Sequence, residues 1–585
     1  MGKFTITIKP HYIFLALILL IAIALRVVLA YYNWPYFNAD EGVMGIMARH
    51  IQQGERPVVF YGQDYMGVLE AYIGAMLFSF MGSSVFALRL GMTLFYVGFL
   101  VFLYLFVRQI YTEQFALWMV ALFGFGSTAI LSRQLVAIGG YIEVELFVAL
   151  AFTVVLWPAF HPFPEGKKQH LLQYLCFFLW AVAISVGLWS YSAIIPWIAC
   201  SGLLLLIFCW RELLLKGGLI ALLAGLLIGS TPLIIYNVGA QPGHDTLTVL
   251  FSIVGKAPLT LHTLKEQILN TFTISFPIIS GEPTCHKSEY LFLHYWGFES
   301  DWSSHCMALG AGWSLFFGAL GLASGGIGLF ALGKAFMLWR KKHVLTLTEH
   351  QHIVRLTAHL LLLLGVVGVV VPYLRSMPVL TGPGGNARYL LGTWIGFPAL
   401  LWPLWAGGTR LRNSSLGRRR WTVVGLRASC VACLTLLLAI YVYGSWLAVT
   451  QLPLAKASKQ SAEATVQTLQ AHHVTHIYAE YWFTYRIAFY SNEQVTGASY
   501  IYNHANDHTL RLFQNKYTPY LTAAQRDPYA SYVIPASPDS TIYISMKDIK
   551  DLTGIVKRRF QDQHLSYRVF SVPGYTIYQP IPPNS

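Results

Sequence analysis

The chain of 585 residues is 55% hydrophobic and only 11% charged, with a formal net charge of +14 and a mean hydropathy of +0.52. Soluble domains carry about 25% charged residues, so this is the composition of a polytopic membrane protein and excludes a soluble globular one. The excess positive charge sits in short runs between apolar segments, as in membrane loops, and no groove-reading motif accompanies it; nucleic acid is therefore not a partner.

The first apolar run, 11–32, is long enough to span about 30 Å of hydrocarbon. It lacks a small-residue cleavage site and reads as a retained helix. The stretch FNADEGVMGIMARHIQQGERPVVFYGQDYMG, 37–67, follows directly. It predicts a helix from Glu41 to Gln53, capped by Asn38 or Asp40 and stopped by Gly54. Carboxylates in its first turn meet the positive end of the helix dipole, which favours their ionised form; the plainest role for Asp40 is that of a cap. Next comes VLEAYIGAMLFSFMG, 68–82, only 15 residues long.

Further spans are predicted near 87–107, 115–132, 145–160, 171–189, 191–210, 217–237, 307–339, 354–374, 389–407 and 421–446. Whether 68–82 also spans decides the topology. If it does not, and the N-terminus is cytoplasmic, the inside segments carry Lys3, Lys9, Arg108, Lys167, Lys168, Arg211, Lys216, Arg340, Lys341, Lys342 and the cluster 410–420. The short outer loops then keep only Arg133, Arg375 and Arg388. A spanning 68–82 would reverse that bias. The positive-inside rule therefore makes it an amphipathic segment lying in the outer interface and gives about 11 transmembrane helices. A first outer loop, 33–86, a large outer loop, 238–306, and everything beyond 450 then lie outside the cytoplasm.

Cys176, Cys200 and Cys209 lie in apolar runs, and Cys430 and Cys433 form a CxxC within a span, where packing is their expected role. Cys285 and Cys306 share one polar loop and would pair as a disulfide if that loop is extracytoplasmic. The polar segment 451–585, with THIYAE, SYVIP, YRVFSV and YTIYQP as strand-like runs, predicts a small extracytoplasmic α/β domain.

Three outer loops gather chemistry at the membrane boundary. The first carries Asp40 and Glu41, then Tyr61, Gln63, Asp64, Tyr65 and Glu70; the second, LSRQLVAIGGYIEVELF, carries Arg133, Tyr141, Glu143 and Glu145; the third, RSMPVLTGPGGNARYLLGTW, carries Arg388 and Tyr389. Charges at such depth are costly unless paired or used. Arginine grips phosphate through its planar fork, a carboxylate can take a proton from a hydroxyl, and tyrosines can stack on sugar faces. Sugar transfer from a lipid phosphate needs that combination.

In these motifs, their order and their sidedness, residues 10–400 resemble the GT-C class of polytopic glycosyltransferases. That class includes protein O-mannosyltransferases, aminoarabinose transferases and the oligosaccharyltransferase catalytic subunit; the first loop is most similar to bacterial mannosyltransferase-like members. The resemblance implies a GT-C-like transmembrane domain over 1–450 with membrane-lying helices in 33–86. It implies that the acidic pair Asp40 and Glu41 supplies the catalytic carboxylate; Asp40 is the expected general base, with Glu41 or Glu143 assisting or holding a cation. Arg133, Arg388 and Tyr389 are implied to bind substrate, Arg388 facing the donor phosphate; by residue chemistry alone, Tyr141, Tyr61, Gln63, Asp64, Tyr65 and Glu70 are further candidates for substrate binding. The second loop has GGYIEVE in place of a DxD, so a divalent metal, held by Asp40 and Glu143, stays an open alternative to no cofactor. WWDYG is absent, which disfavours transfer to asparagine. The expected function is transfer, by inversion, of a hexosyl or pentosyl group from a polyprenyl-phosphate donor to an extracytoplasmic hydroxyl at the cell membrane. The alternative is a transporter or flippase of lipid-linked saccharides, which would place ionisable residues and broken helices near the bilayer midplane.

Overall fold

A computed structural model describes residues 9–162, 166–253, 258, 260–282, 304–342, 345–410, 420–503, 509–538 and 545–582. From the N-terminus, α1 (Pro10–Tyr31) leads to α2 (Ala39–Gln52), the hairpin β1 (Val59–Phe60) and β2 (Gln63–Gly67), and α3 (Leu69–Met81). At 1.5 Å per residue α3 reaches about 20 Å, short of a bilayer core. α4 (Val85–Ile110) starts where the Ser84 hydroxyl accepts from the Ala87 N–H. Then come α5 (Glu113–Gly124), α6 (Thr128–Leu135), α7 (Tyr141–Phe160), α8 (Gly166–Ser190), α9 (Ile195–Leu214) and α10 (Gly218–Gly239). Between α10 and the next long helix lie α11 (Thr246–Ile253), α12 (Leu261–Asn270) and α13 (Phe276–Ile279). The bundle continues with α14 (Ser304–Lys342), α15 (Leu347–Leu374), the single turn α16 (Pro378–Thr381), a 3₁₀ helix over Gly385–Gly396, α17 (Phe397–Arg410) and α18 (Arg420–Thr450).

Among the described residues ten helical segments are long and apolar enough to cross a membrane, or eleven if the pair α5 and α6 is one broken span. The chain is a multi-pass membrane protein. The run expected as a straight span over 115–132 is bent by 88° at 125–127. Gly126 and Ser127 make the break, and the Ser127 hydroxyl caps α6 by accepting from the Ile130 N–H. A broken helix leaves carbonyls without partners, and Arg26 of α1 supplies donors. Its Nη1 donates to Gly124 O at 2.9 Å and its Nη2 to Phe123 O at 3.2 Å and to Gln134 Oε1. A fully buried guanidinium in an apolar helix is tolerated because the break needs it.

The C-terminal domain grows directly from the last span, since only Gln451 separates α18 from α19 (Leu452–Ala471). Its sheet contains β3 (His476–Ala479), β4 (Thr496–Asn503), β5 (Thr509–Leu512), β6 (Ser531–Pro535), β7 (Tyr567–Val572) and β8 (Tyr575–Pro580), in the order β5-β4-β3-β6-β8-β7. β3 runs parallel to both β4 and β6; the other pairs are antiparallel. Side chains alternate across a strand. Accordingly Ile477, Ala479 and Val533 pack with Leu469 and Phe483, while Tyr532 and Ile534 pack with Leu552 and Val556. The first face is covered by α19 and α20 (Tyr481–Tyr490), the second by α22 (Met546–Asp562), and α21 (Thr518–Arg526) lies between β5 and β6 in the chain.

α20 lies against α2. Gly42 permits this approach, because a Cβ there would come within 2.6 Å of Tyr485 O. Cys176, Cys200, Cys209, Cys430 and Cys433 are free thiols. Cys306 is disulfide-bonded, and Cys285 lies outside the described residues.

Candidate functional site

Asn38 caps α2 by accepting from the Glu41 N–H at 2.9 Å, which sets Asp40 and Glu41 in the first turn. Adjacent positions on a helix point about 100° apart, and the two carboxylates part company. Asp40 is half-buried and accepts through Oδ1 from the Tyr481 phenol at the start of α20. Burial first, and then the Asp40 charge, push that phenol far above its ordinary range, so it remains a donor.

Two cations complete the surroundings of Asp40. Arg388 lies in the 3₁₀ segment, within electrostatic reach of Asp40 and of Tyr141 and Tyr389. Its guanidinium carbon is 5.3 Å from the Tyr389 ring centre and 5.8 Å from that of Tyr141. A 3₁₀ run as long as Gly385–Gly396 is uncommon and often marks a functional segment. Arg133 braces it, donating from Nη2 to Gly385 O at 3.1 Å. The second cation, Lys516, comes from the loop between β5 and α21. Its Nζ lies 5.9 Å from the ring centres of Phe60 and Tyr481. Burial pulls this ammonium below the usual lysine range, Asp40 opposing and Arg388 reinforcing. The loop is anchored where the Lys516 N–H (2.5 Å) and the Tyr517 N–H (3.1 Å) donate to the Tyr485 hydroxyl.

Tyrosines enclose the remaining side. The Tyr141 ring is 5.2 Å from Tyr191 and 6.4 Å from Tyr389, and Tyr65 is within electrostatic reach of Tyr389, Arg388 and Asp40. Tyr141 is aimed by the glycine pair before it. Gly139 and Gly140 have φ of +100° and +70°, and a Cβ on Gly140 would meet Ser190 O at 2.5 Å.

The structure thus brings Asp40, Arg388, Tyr389, Tyr141 and Tyr65 together, with Arg133 as a brace. Other predicted residues serve elsewhere. Glu41 is fully buried, and both its oxygens accept from Arg89, Nε and Nη2 each at 2.7 Å; burial pushes this carboxyl up against the opposing pull of Arg89. Glu70, 2% exposed, accepts from the Gly139 and Gly140 N–H groups at 3.0 Å each and so holds the turn that aims Tyr141. Burial pushes it up to about 8 against those two donors. Glu143 is buried in the first turn of α7, with Oε1 lacking a hydrogen-bond partner among the described residues and the Glu70 carboxyl as its electrostatic neighbour. Tyr61 donates to Glu55 at 2.6 Å and stacks on Tyr517 at 4.8 Å, in the seam with the C-terminal domain. Asp64 pairs with His244 at 3.0 Å, and Gln63 accepts from Tyr65 at 3.5 Å.

Sequence reading missed Tyr481, Lys516 and Tyr191. The first two lie in the C-terminal domain, far from Asp40 along the chain. The only local signal was their aromatic-rich setting, YWFTYRIAFY and NKYTPY.

Among the described residues no three His, Cys, Asp or Glu side chains gather as metal ligands. The groups around Asp40 are cations and phenols, a donor set that does not fit a divalent metal.

No family model matches the sequence, and no curated protein matches it. Solved structures do resemble the fold. ArnT from Cupriavidus metallidurans bound to undecaprenyl phosphate superposes with a TM-score of 0.52 at 12% identity, covering 97% of this chain and 97% of that one. Its apo state gives 0.51, with the same identity and coverage. The archaeal oligosaccharyltransferase AglB from Archaeoglobus fulgidus, in complex with an inhibitory peptide and a dolichol-phosphate, gives 0.50 at 13% identity, covering 98% of this chain and 75% of that one. At such identity the likeness is one of architecture: over nearly its whole length the chain has the GT-C fold shared by ArnT and AglB.

Proposed function

We propose that the protein is an integral membrane glycosyltransferase that moves a sugar from a polyprenyl-phosphate donor to an acceptor hydroxyl on the extracytoplasmic side. The observation that carries this reading is a single carboxylate, Asp40, set beside a buried phenol and facing two cations, Arg388 and Lys516, in a cage of tyrosines. Structures of the same fold hold undecaprenyl phosphate in ArnT and dolichol-phosphate in AglB, which supports a lipid-phosphate donor.

In the proposed step the acceptor oxygen attacks the anomeric carbon while Asp40 takes its proton. The bond from that carbon to the phosphate oxygen breaks, and its electron pair leaves with the polyprenyl phosphate. Arg388 and Lys516 stabilise the charge that develops there. A single in-line displacement at the anomeric carbon gives inversion. Tyr481 orients the base, and the tyrosines hold the sugar. Glu41, Glu70 and Arg133 act as positioning residues, and no step runs through a metal.

The test is release of polyprenyl phosphate from a panel of polyprenyl-phosphate sugars by purified protein in lipid. Lys516→Ala is expected to lower turnover about a hundredfold, as expected for a charge-stabilising donor removed from an active site, and Lys516→Arg to recover most of it. Wild-type rates in the alanine variant would remove Lys516 from the mechanism. Tyr481→Phe keeps the ring contacts with Trp482 and Tyr485 and loses only the bond to Asp40. Its turnover is expected to fall about tenfold, the worth of one charge-assisted hydrogen bond, with unchanged thermal stability.

A further inference from the structure

Arg49 stands in the last turn of α2, nine residues beyond Asp40 and about 13 Å along the helix axis. It is 8% exposed. Its Nε donates to Ser83 Oγ at 2.7 Å, and its Nη2 donates to Phe489 O at 2.9 Å and to Asn492 Oδ1 at 2.8 Å. The third nitrogen, Nη1, is buried with no hydrogen-bond partner among the described residues. A desolvated guanidinium N–H without an acceptor is costly, and this residue borders a cavity of about 340 Å³.

The cavity lies where α1 ends and α4 begins, beneath α19 and α20. Ser83 and Ser84 line it at the N-terminus of the 26-residue α4. A helix leaves its first N–H groups without intrahelical partners and presents the positive end of its dipole there; the Ser84 side chain caps that of Ala87. Lys459 also lines the cavity and adds a second cation. Glu463 sits 3.9 Å from it, both being about half exposed, and Glu493, outside the lining, is the carboxylate within electrostatic reach of Arg49. Tyr31 and Phe86 line the cavity on one side, and Tyr31, the last residue of the apolar α1, is 65% exposed.

We propose that this cavity binds the phosphate group of an anionic lipid, apart from the site around Asp40. The phosphate oxygens accept from Arg49 Nη1, from the serine hydroxyls and from the start of α4, while the acyl chains leave past Tyr31. Arginine suits this role because its planar fork keeps further N–H groups for the ligand after three are committed to the protein. The bound lipid then ties α2, α4 and the C-terminal domain to one headgroup.

The test uses full-length protein in phosphatidylcholine nanodiscs titrated with phosphatidylglycerol, with retained lipid read by native mass spectrometry. Phosphatidylglycerol is expected to bind at least about tenfold more tightly than phosphatidylcholine, as for one charge-assisted hydrogen bond, and Arg49→Ala to abolish that preference. Because Arg49→Ala also removes bonds to Phe489 and Asn492, Ser83→Asp is the decisive variant. It keeps the guanidinium paired and sets a negative charge where the phosphate would lie, and it is expected to lose the preference while remaining folded. Equal retention of phosphatidylglycerol by wild type and Ser83→Asp would overturn the site. Inorganic phosphate is expected to displace the lipid only at millimolar concentration; displacement at micromolar phosphate would overturn the lipid as its source.

Discussion

Asp40→Asn is expected to reduce release of polyprenyl phosphate by at least about a thousandfold, within the range for loss of a general base. Asparagine retains an acceptor for the Tyr481 phenol and fits the same first turn of α2, so the fold and the site's shape persist. Removal of the base should therefore appear in kcat with little change in KM. Donor binding, followed by retention of the intact lipid-linked sugar on the purified protein in native mass spectrometry, should match wild type. Turnover within tenfold of wild type, in a variant of unchanged thermal midpoint, would end the assignment of Asp40 as base. Movement of an intact lipid-linked sugar across the bilayer, without cleavage and alike in both proteins, would turn the reading to a transporter.

The second large effect concerns stability. Glu41 and Arg89 are both fully buried and paired through two hydrogen bonds of 2.7 Å. Removing one partner of such a pair leaves an uncompensated charge in a low-dielectric interior, at a cost of about 3–5 kcal/mol. Glu41→Ala and Arg89→Ala are each expected to lower the thermal midpoint sharply, whereas Glu41→Leu with Arg89→Met, which removes both charges, should recover most of the loss. Strict additivity of the single changes in a double-mutant cycle would show that the pair does not act as a unit.

The two neighbours Asp40 and Glu41 also show how far a sequence can be read. The acidic pair and its helix were legible, as were ten of the spans, the short α3 and four strands of the last domain, β3, β6, β7 and β8. The pairing that takes Glu41 out of the site was not, because it depends on Arg89, a residue of the next membrane helix that carries no local mark of its partner. Glu70 looked like a ligand for substrate, yet its two acceptors answer the N–H groups of the Gly139–Gly140 turn. Hydropathy averages over a window and passed smoothly through 115–132, although Gly126 and Ser127 break the helix there. Tyr481 was beyond reach, since no periodicity connects positions 441 residues apart.

That separation bears on how the protein is made. Asp40 is synthesised early and Arg388 much later, but Tyr481 and Lys516 follow the last membrane helix. A nascent chain whose spans are already in the bilayer therefore holds a carboxylate and one cation without the phenol and ammonium that complete the arrangement. On the proposed function, the arrangement around Asp40 is complete only once the C-terminal domain has folded against α2, so the order of synthesis sets the order in which the site is assembled.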